Sequence, residues 1–233
     1  MTPNDPPEFG PYELLNCYAN GVFPMSEGPD DQGLFLVDPE RRGVFPLNGL
    51  KISKSLAKIV RSHRFDVRVN TAFAEIVRAC GAPERPGAWI NTPIVELYTQ
   101  LHDLGHAHSV ECWYAGKLVG GLYGVSLRGA FFGESMFSHM SNASKTALVH
   151  LVGRLNAGGF TLLDAQFITP HLRTLGAIDI SRDAYHEFLH KALEHEGDFN
   201  PPDYLDSTFS NSVRSSSSDG GGGGITQSKT QIS

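Results

Sequence analysis

The sequence predicts an α+β protein built on a central mixed sheet. Three β-like runs, at 108–114, 117–126 and 129–133, follow one another with tight turns between them, and helical periodicities flank them on both sides. With 40% hydrophobic and 19% charged residues over 233 positions, the chain carries enough apolar material for a sizeable buried core.

The opening segment to residue 50 is rich in Pro and Gly, with short apolar bursts such as YANGVFPM and GLFLVDP, and reads as a small turn-rich unit. In KISKSLAKIVRSHRF, Ile52, Leu56, Ile59 and Val60 share one helical face and Lys54, Lys58 and Arg61 another. FDVRVN alternates as a strand does. TAFAEIVRACG and NTPIVELYTQLHDLG are amphipathic helices stopped by Gly81 and Gly105. In the β-rich stretch, Ala115-Gly116 predicts a tight hairpin and Leu127-Arg128-Gly129 the second connection. A helix over 142–157, ended by Gly158-Gly159, leads to a strand in FTLLDAQF. A short helix in TPHLRTLGA and a last helix in SRDAYHEFLHKALEH complete the folded part. The Ser/Gly-rich tail over 207–233 cannot bury enough apolar surface to fold and is expected to be disordered.

This order matches an acetyltransferase-like (GNAT-type) architecture, in which a central mixed sheet splays to admit an acyl donor. The expected division is a small N-terminal domain over 1–62 with its basic helix, a catalytic domain over 63–206, and the tail. No stretch approaches the ~20 apolar residues of a membrane span, and the N-terminus shows no basic leader followed by an apolar core. Cys17, Cys80 and Cys112 are far apart and form no C-x-x-C pair, which fits a reducing cytoplasm.

The formal net charge of −6 argues against a nucleic-acid partner, but its distribution argues for one. Eight of the 19 basic residues lie between Arg41 and Arg68, against a single acid, Asp66. A local patch can steer a polyanion whatever the total charge; the alternative is a solvated helix face. His102, His106 and His108 lack a neighbouring cysteine or paired acid, so no metal site is expected. No G-x-S-x-G elbow, H-E-x-x-H, Walker loop or dinucleotide fingerprint occurs.

Two places ask for chemistry. Glu134 puts a carboxylate between an apolar strand and a helix, where a charge is costly unless it is paired or used. In TLLDAQF, Asp164 and Gln166 are two apart, so a strand directs both to one face, opposite Leu163, Ala165 and Phe167. A carboxylate and an amide together on a core strand need partners.

Beyond these local readings, WINTPIVELYTQLHDLGHAHSVECWYAGKLVGGLYGV, GESMFSHMSNASKTAL, LLDAQF and HLRTLGA, in that family's order, together with YANGVFPM and KISKSL, resemble the bacterial leucyl/phenylalanyl-tRNA–protein transferases. The resemblance covers about residues 12–190 and implies transfer of Leu or Phe, less readily Met, from aminoacyl-tRNA to the N-terminal amine of proteins beginning with Arg or Lys. The product is marked for N-degron degradation, and no metal or coenzyme takes part. It further implies that Gln166 orients the amine with Asp164 supporting a proton relay, and that Glu134 and Thr169 meet the acceptor peptide. Leu122, Phe131, Met136, Leu148 and Leu163 would shape the aminoacyl pocket, and Trp89 and Tyr98 would lie near the tRNA 3′ end. Phe35 stands where many relatives carry tryptophan. Lys54, Lys58 and Arg61 are the candidate tRNA phosphate contacts. Two alternatives stay open. A coenzyme-A-dependent N-acetyltransferase is disfavoured because 137–145 has no glycine for a pyrophosphate loop. A non-catalytic tRNA-binding module would use the basic patch alone.

Overall fold

A computed structural model describes residues 9–28, 31, 33–82, 90–201 and 204. The expected Ser/Gly-rich tail and Trp89 lie outside the described residues. In chain order the elements are α1 (Pro11–Ala19), β1 (Phe23–Met25), β2 (Phe35–Val37), β3 (Arg41–Phe45), α2 (Lys54–Arg61), β4 (Asp66–Val69), α3 (Phe73–Cys80) and α4 (Thr92–Asp103). There follow β5 (Ala107–Tyr114), β6 (Lys117–Leu127), β7 (Ala130–Ser138), α5 (Ala143–Ala157), β8 (Leu162–Gln166), α6 (Pro170–Thr174), β9 (Ile178–Ser181) and α7 (Arg182–Leu193).

Seven strands form one mixed sheet in the order β4-β5-β6-β7-β8-β3-β9. Every neighbouring pair is antiparallel except β7 and β8, which run parallel. Alternation along the central strands decides which face each side chain serves. Tyr123, Phe132, Leu162 and Val44 belong to the core under α1, α3, α4 and α7, whereas Leu122, Phe131, Leu163 and Phe45 belong to the core under α5. Both sheet faces are therefore covered, and Phe131 and Phe132 are each completely buried on opposite sides. Each such aromatic contributes ~1.5–3 kcal/mol of transfer free energy.

Helix α5 is buried around most of its circumference, because the sheet lies on one side and α2 on the other, through Leu56, Val60 and Val149. Helix α2 begins where the Ser53 hydroxyl accepts from the Leu56 N–H at 3.2 Å. Its opposite face leaves Lys54, Lys58 and Arg61 exposed. Among the described residues no helix is long and apolar enough to cross a membrane.

The hairpin between β5 and β6 turns at Ala115 and Gly116, both with positive φ (49° and 73°), as a two-residue primed turn requires. The structure also contains strands absent from the sequence reading. β3 comes from the Pro/Gly-rich opening segment, and β9 follows α6 where only a connection was expected. The expected boundary at residue 62 falls between α2 and β4, and β3, from the N-terminal side of it, is hydrogen-bonded into the large sheet between β8 and β9. The third predicted strand runs on to Ser138, five residues beyond its expected end.

Glu111, on β5, is a buried carboxylate that works as a remote helix cap. Ala72, at the start of α3, offers no side-chain cap. Glu111 instead accepts from the N–H groups of Thr71 (2.8 Å) and Ala72 (2.7 Å), from Ser109 Oγ (2.9 Å) and Trp113 Nε1 (3.0 Å), and from the Thr71 hydroxyl. Burial pushes its pKa up, but these donors together outweigh burial and hold the carboxyl below its ordinary value. A depressed folded-state pKa stabilises the fold above the unfolded-state value, and that stability is lost as pH falls through the folded value. Glu111→Ala is expected to destabilise the protein by ~3 kcal/mol at neutral pH. Thermal melts against pH should show that gap closing on the acid side of ~4, and an equally large gap in acid would contradict the capping role.

Candidate active site

Strands β7 and β8 pair over only three positions, Ala130 with Leu162, Phe131 with Leu163 and Phe132 with Asp164. Two local irregularities occur as they separate. On β7 the pairing with β6 steps from Ser135 opposite Tyr123 to Gly133 opposite Gly124, so Glu134 is the extra residue of a β-bulge. Gly124 is required there, since a Cβ would collide with the Phe132 carbonyl and the Phe131 ring. On β8 the pairing with β3 steps from Asp164 opposite Val44 to Gln166 opposite Gly43, passing over Ala165. Gln166 closes that step in the left-handed region at φ 58°, a conformation uncommon for a residue with a Cβ. Gly43 allows the close approach, because a Cβ would sit 3.1 Å from the Ile168 nitrogen. The bulges turn two side chains toward each other, and Gln166 Nε2 donates to Glu134 Oε1 at 3.0 Å.

Two tyrosines complete the setting of Glu134. Tyr18 of α1 donates to Oε1 at 2.7 Å and Tyr98 of α4 to Oε2 at 3.0 Å, and the two hydroxyls also lie within hydrogen-bonding distance of each other. Burial pushes the Glu134 carboxyl up to about 7, against the opposing pull of the bonds from Tyr18, Gln166 and Tyr98 and with a further push from Asp164. Burial, followed by the nearby Glu134 carboxylate, raises both tyrosines well above their ordinary value.

Asp164 is held differently. Oδ1 accepts from Arg42 Nε (3.0 Å) and the Gln166 N–H (2.7 Å), and Oδ2 from Arg42 Nη2 (2.6 Å) and Tyr185 Oη (2.8 Å). Arg42, 1% exposed, lies between the rings of Phe23 (4.4 Å) and Tyr185 (4.3 Å) and donates to the Gly21 carbonyl at 3.0 Å. This carboxylate is saturated by donors, and its bond to the Gln166 N–H fixes the left-handed turn that presents the glutamine amide.

A cavity of about 360 Å³ opens beside this cluster. Met25, Phe45, Leu122, Met136, Leu148 and Leu163 give it an apolar interior, and Glu134, Asp164, Gln166, Thr169 and His171 supply polar groups. A small apolar site with a few convergent polar atoms is the usual form of a ligand pocket. Four of the five residues expected around an aminoacyl group thus line one cavity. Phe131 does not line it and lies completely buried, packed on Phe199 and Phe160. Thr169 lines the cavity and also caps α6, its hydroxyl accepting from the Leu172 N–H. Tyr98, expected near a tRNA end, is fully buried with its hydroxyl on Glu134.

The basic run between Arg41 and Arg68 is not one surface. Arg42 is the buried partner of Asp164, Arg41 pairs with Asp179, and Arg68 pairs with Asp66 while lying over Trp113. Lys54, Lys58 and Arg61 remain exposed on α2. Sequence reasoning missed Arg42, Tyr18 and Tyr185. Tyr18 carried the clearest signal, since it follows Leu14 by one turn on the apolar face of α1 and a buried tyrosine hydroxyl needs a partner. No group of three or more His, Cys, Asp or Glu residues that could hold a metal ion occurs among the described residues.

Residues 44–190 match the family model described as leucyl/phenylalanyl-tRNA protein transferase. The chain is similar to the leucyl/phenylalanyl-tRNA–protein transferase of Phenylobacterium zucineum, with 58% identity over 82% of this chain and 88% of that protein. The protein of the same name from Maricaulis maris is 57% identical over 82% of this chain and 89% of its own length. That from Rhodospirillum rubrum is 53% identical over 84% and 93%.

Removing one member of a buried ion pair strands the other. Arg42→Met is expected to lower stability by ~3–5 kcal/mol in urea unfolding, and adding Asp164→Leu should recover much of that loss. If Arg42→Met alone proves neutral, the pair is not what holds β3 to β8.

Proposed function

The chain belongs to the leucyl/phenylalanyl-tRNA protein transferase family, and from that premise we propose that it moves Leu or Phe, less readily Met, from aminoacyl-tRNA to the N-terminal amine of proteins beginning with Arg or Lys. The product would enter N-degron degradation in the cytoplasm. The observation that carries this reading is the Glu134–Gln166 pair beside an apolar cavity of about 360 Å³. An aminoacyl ester is already activated, so catalysis needs an oriented amine and a path for its proton.

In this reading Leu122, Met136, Leu148 and Leu163 receive the donor side chain, with Phe131 supporting them from behind. Gln166 orients the amine through its amide, and Asp164 acts on Gln166 through the backbone N–H and through the fixed charge of Arg42. Glu134 holds the cationic end of the acceptor, and Thr169 lies along its course. Lys54, Lys58 and Arg61 meet tRNA phosphates and Trp89 belongs to the tRNA 3′-end region, whereas Tyr98, fully buried, serves the site through its bond to Glu134. The separation of β7 from β8 supports an acetyltransferase-like sheet, in which the acyl donor enters where two parallel strands part.

Purified protein given Leu-tRNA and an Arg-initiated peptide, without ATP, is expected to yield the Leu-peptide, and a Lys-initiated peptide should do the same. Intact charged tRNA and no product would overturn the reading. Replacing Lys54, Lys58 and Arg61 together by alanine should weaken tRNA binding and reduce the slope of log K against log salt by up to ~3. Lost activity with an unchanged slope would remove these three residues from the phosphate contacts.

A further inference from the structure

The transfer reaction leaves one question of chemistry: where the amine's proton goes while the C–N bond forms. Asp164 has no place for it. Both its oxygens are occupied, Oδ1 by Arg42 and the Gln166 N–H, Oδ2 by Arg42 and Tyr185. Gln166 is a neutral amide whose nitrogen already donates to Glu134. Glu134 lines the cavity, and its Oε2 accepts from Tyr98 alone among the described residues, which leaves a lone pair for a substrate N–H.

The tyrosines add a second, independent observation. Each hydroxyl has one hydrogen to give. With Glu134 ionised, Tyr18 donates to Oε1 and Tyr98 to Oε2. With Glu134 protonated on Oε2, the same heavy atoms support a closed ring. Oε2–H donates to Tyr98, Tyr98 to Tyr18, and Tyr18 to Oε1, which is the arrangement that uses the close contact between the two hydroxyls. Both protonation states are satisfied without moving a heavy atom, as a group that repeatedly gains and loses a proton requires.

We propose that Glu134 is the catalytic acid–base of the transfer, taking a proton from the attacking amine and returning it to the departing ribose oxygen, with Tyr18 and Tyr98 forming the ring that accommodates the proton. The inference rests on the transfer reading and deepens it. The neutral amine attacks the ester carbonyl carbon and its lone pair becomes the C–N bond. Glu134 takes one N–H proton as the tetrahedral intermediate forms. The C–O bond to the tRNA 3′ oxygen then breaks, its electron pair leaves on that oxygen, and Glu134 hands the proton over and is a carboxylate again. A carboxyl held near 7 suits both halves of the cycle at neutral pH. The groups facing it are Tyr18 of α1, Tyr98 of α4, Gln166 and Asp164 of β8, Arg42 of β3, Tyr123 of β6 and, along the cavity, His171 of α6.

The test is the pH dependence of kcat/KM for an Arg-initiated peptide with Leu-tRNA, in the full chain and two variants. Glu134→Gln is expected to lower kcat by ~100-fold or more even at saturating peptide. Tyr98→Phe removes a donor to the carboxylate. That charge-assisted bond outweighs the loss of Tyr98 as an acceptor, so the ascending limb near pH 7 should move alkaline by about one unit. The acceptor amine contributes its own limb near ~7.7–8.0, which Tyr98 does not touch. Saturating peptide restoring kcat in Glu134→Gln would overturn the proposal and leave Glu134 as a grip on the acceptor. A Tyr98→Phe profile superimposed on that of the unmodified protein would also overturn it, and this arm decides the matter if Glu134→Gln melts well below the unmodified protein. Unmodified protein that makes no Leu-peptide at all would instead sink the transfer reading itself.

Discussion

The site depends on one buried ion pair. Arg42 and Asp164, 1% and 0% exposed, join β3 to β8 and bring Gly21, Phe23, Tyr185 and the Gln166 backbone to a common centre. Taking two charges out of water costs several kcal/mol per ion, and only near-complete hydrogen bonding offsets that cost. Here Asp164 has four strong donors and Arg42 lies between two aromatic faces. Such a pair adds little net stability over an apolar substitute, but it tolerates few alternative arrangements. Its contribution is geometric, because it holds Gln166 in a left-handed turn that the residue would not choose alone.

The two carboxylates in the site do different work because their surroundings differ. Asp164 meets a guanidinium, a hydroxyl and a backbone N–H, which satisfy its charge. Glu134 meets only neutral donors in a buried setting, so its charge is poorly compensated and its carboxyl rises to about 7. Two acids near one sheet seam thereby differ in what they offer a ligand, Asp164 with both oxygens already taken by donors and Glu134 facing the cavity.

Much of the framework was legible in the sequence. VECWYAGKLVGGLYGV is a long apolar β-type run that carries its own turn, and the helices before it show apolar stripes and end at Gly81 and Gly105. The pairing of Asp164 with Gln166 as a polar feature on a core strand was also readable. What could not be read follows from geometry between strands. RRGVF looked like part of a basic surface because period-2 alternation over five residues cannot say which of two adjacent arginines points inward. GESMFS looked like the end of a strand because a bulge interrupts alternation just where Glu134 sits. The bulge is visible only once β6 supplies the register, and only Gly124 and Gly133 hinted at it. Tyr18 and Tyr185 stand 167 positions apart in the chain, and nothing local reveals that both serve one centre.

That separation has a consequence for the life of the protein. Tyr18 enters the site from α1 and Tyr185 from α7, so Glu134 can have its three donors once β8 is made, whereas Asp164 lacks one of its four until the chain has been translated through α7. With α7 still inside the exit tunnel, Asp164 lacks the Tyr185 hydroxyl and Arg42 one of its two aromatic faces. Synthesis order therefore makes the buried ion pair one of the later parts of the described fold to be completed.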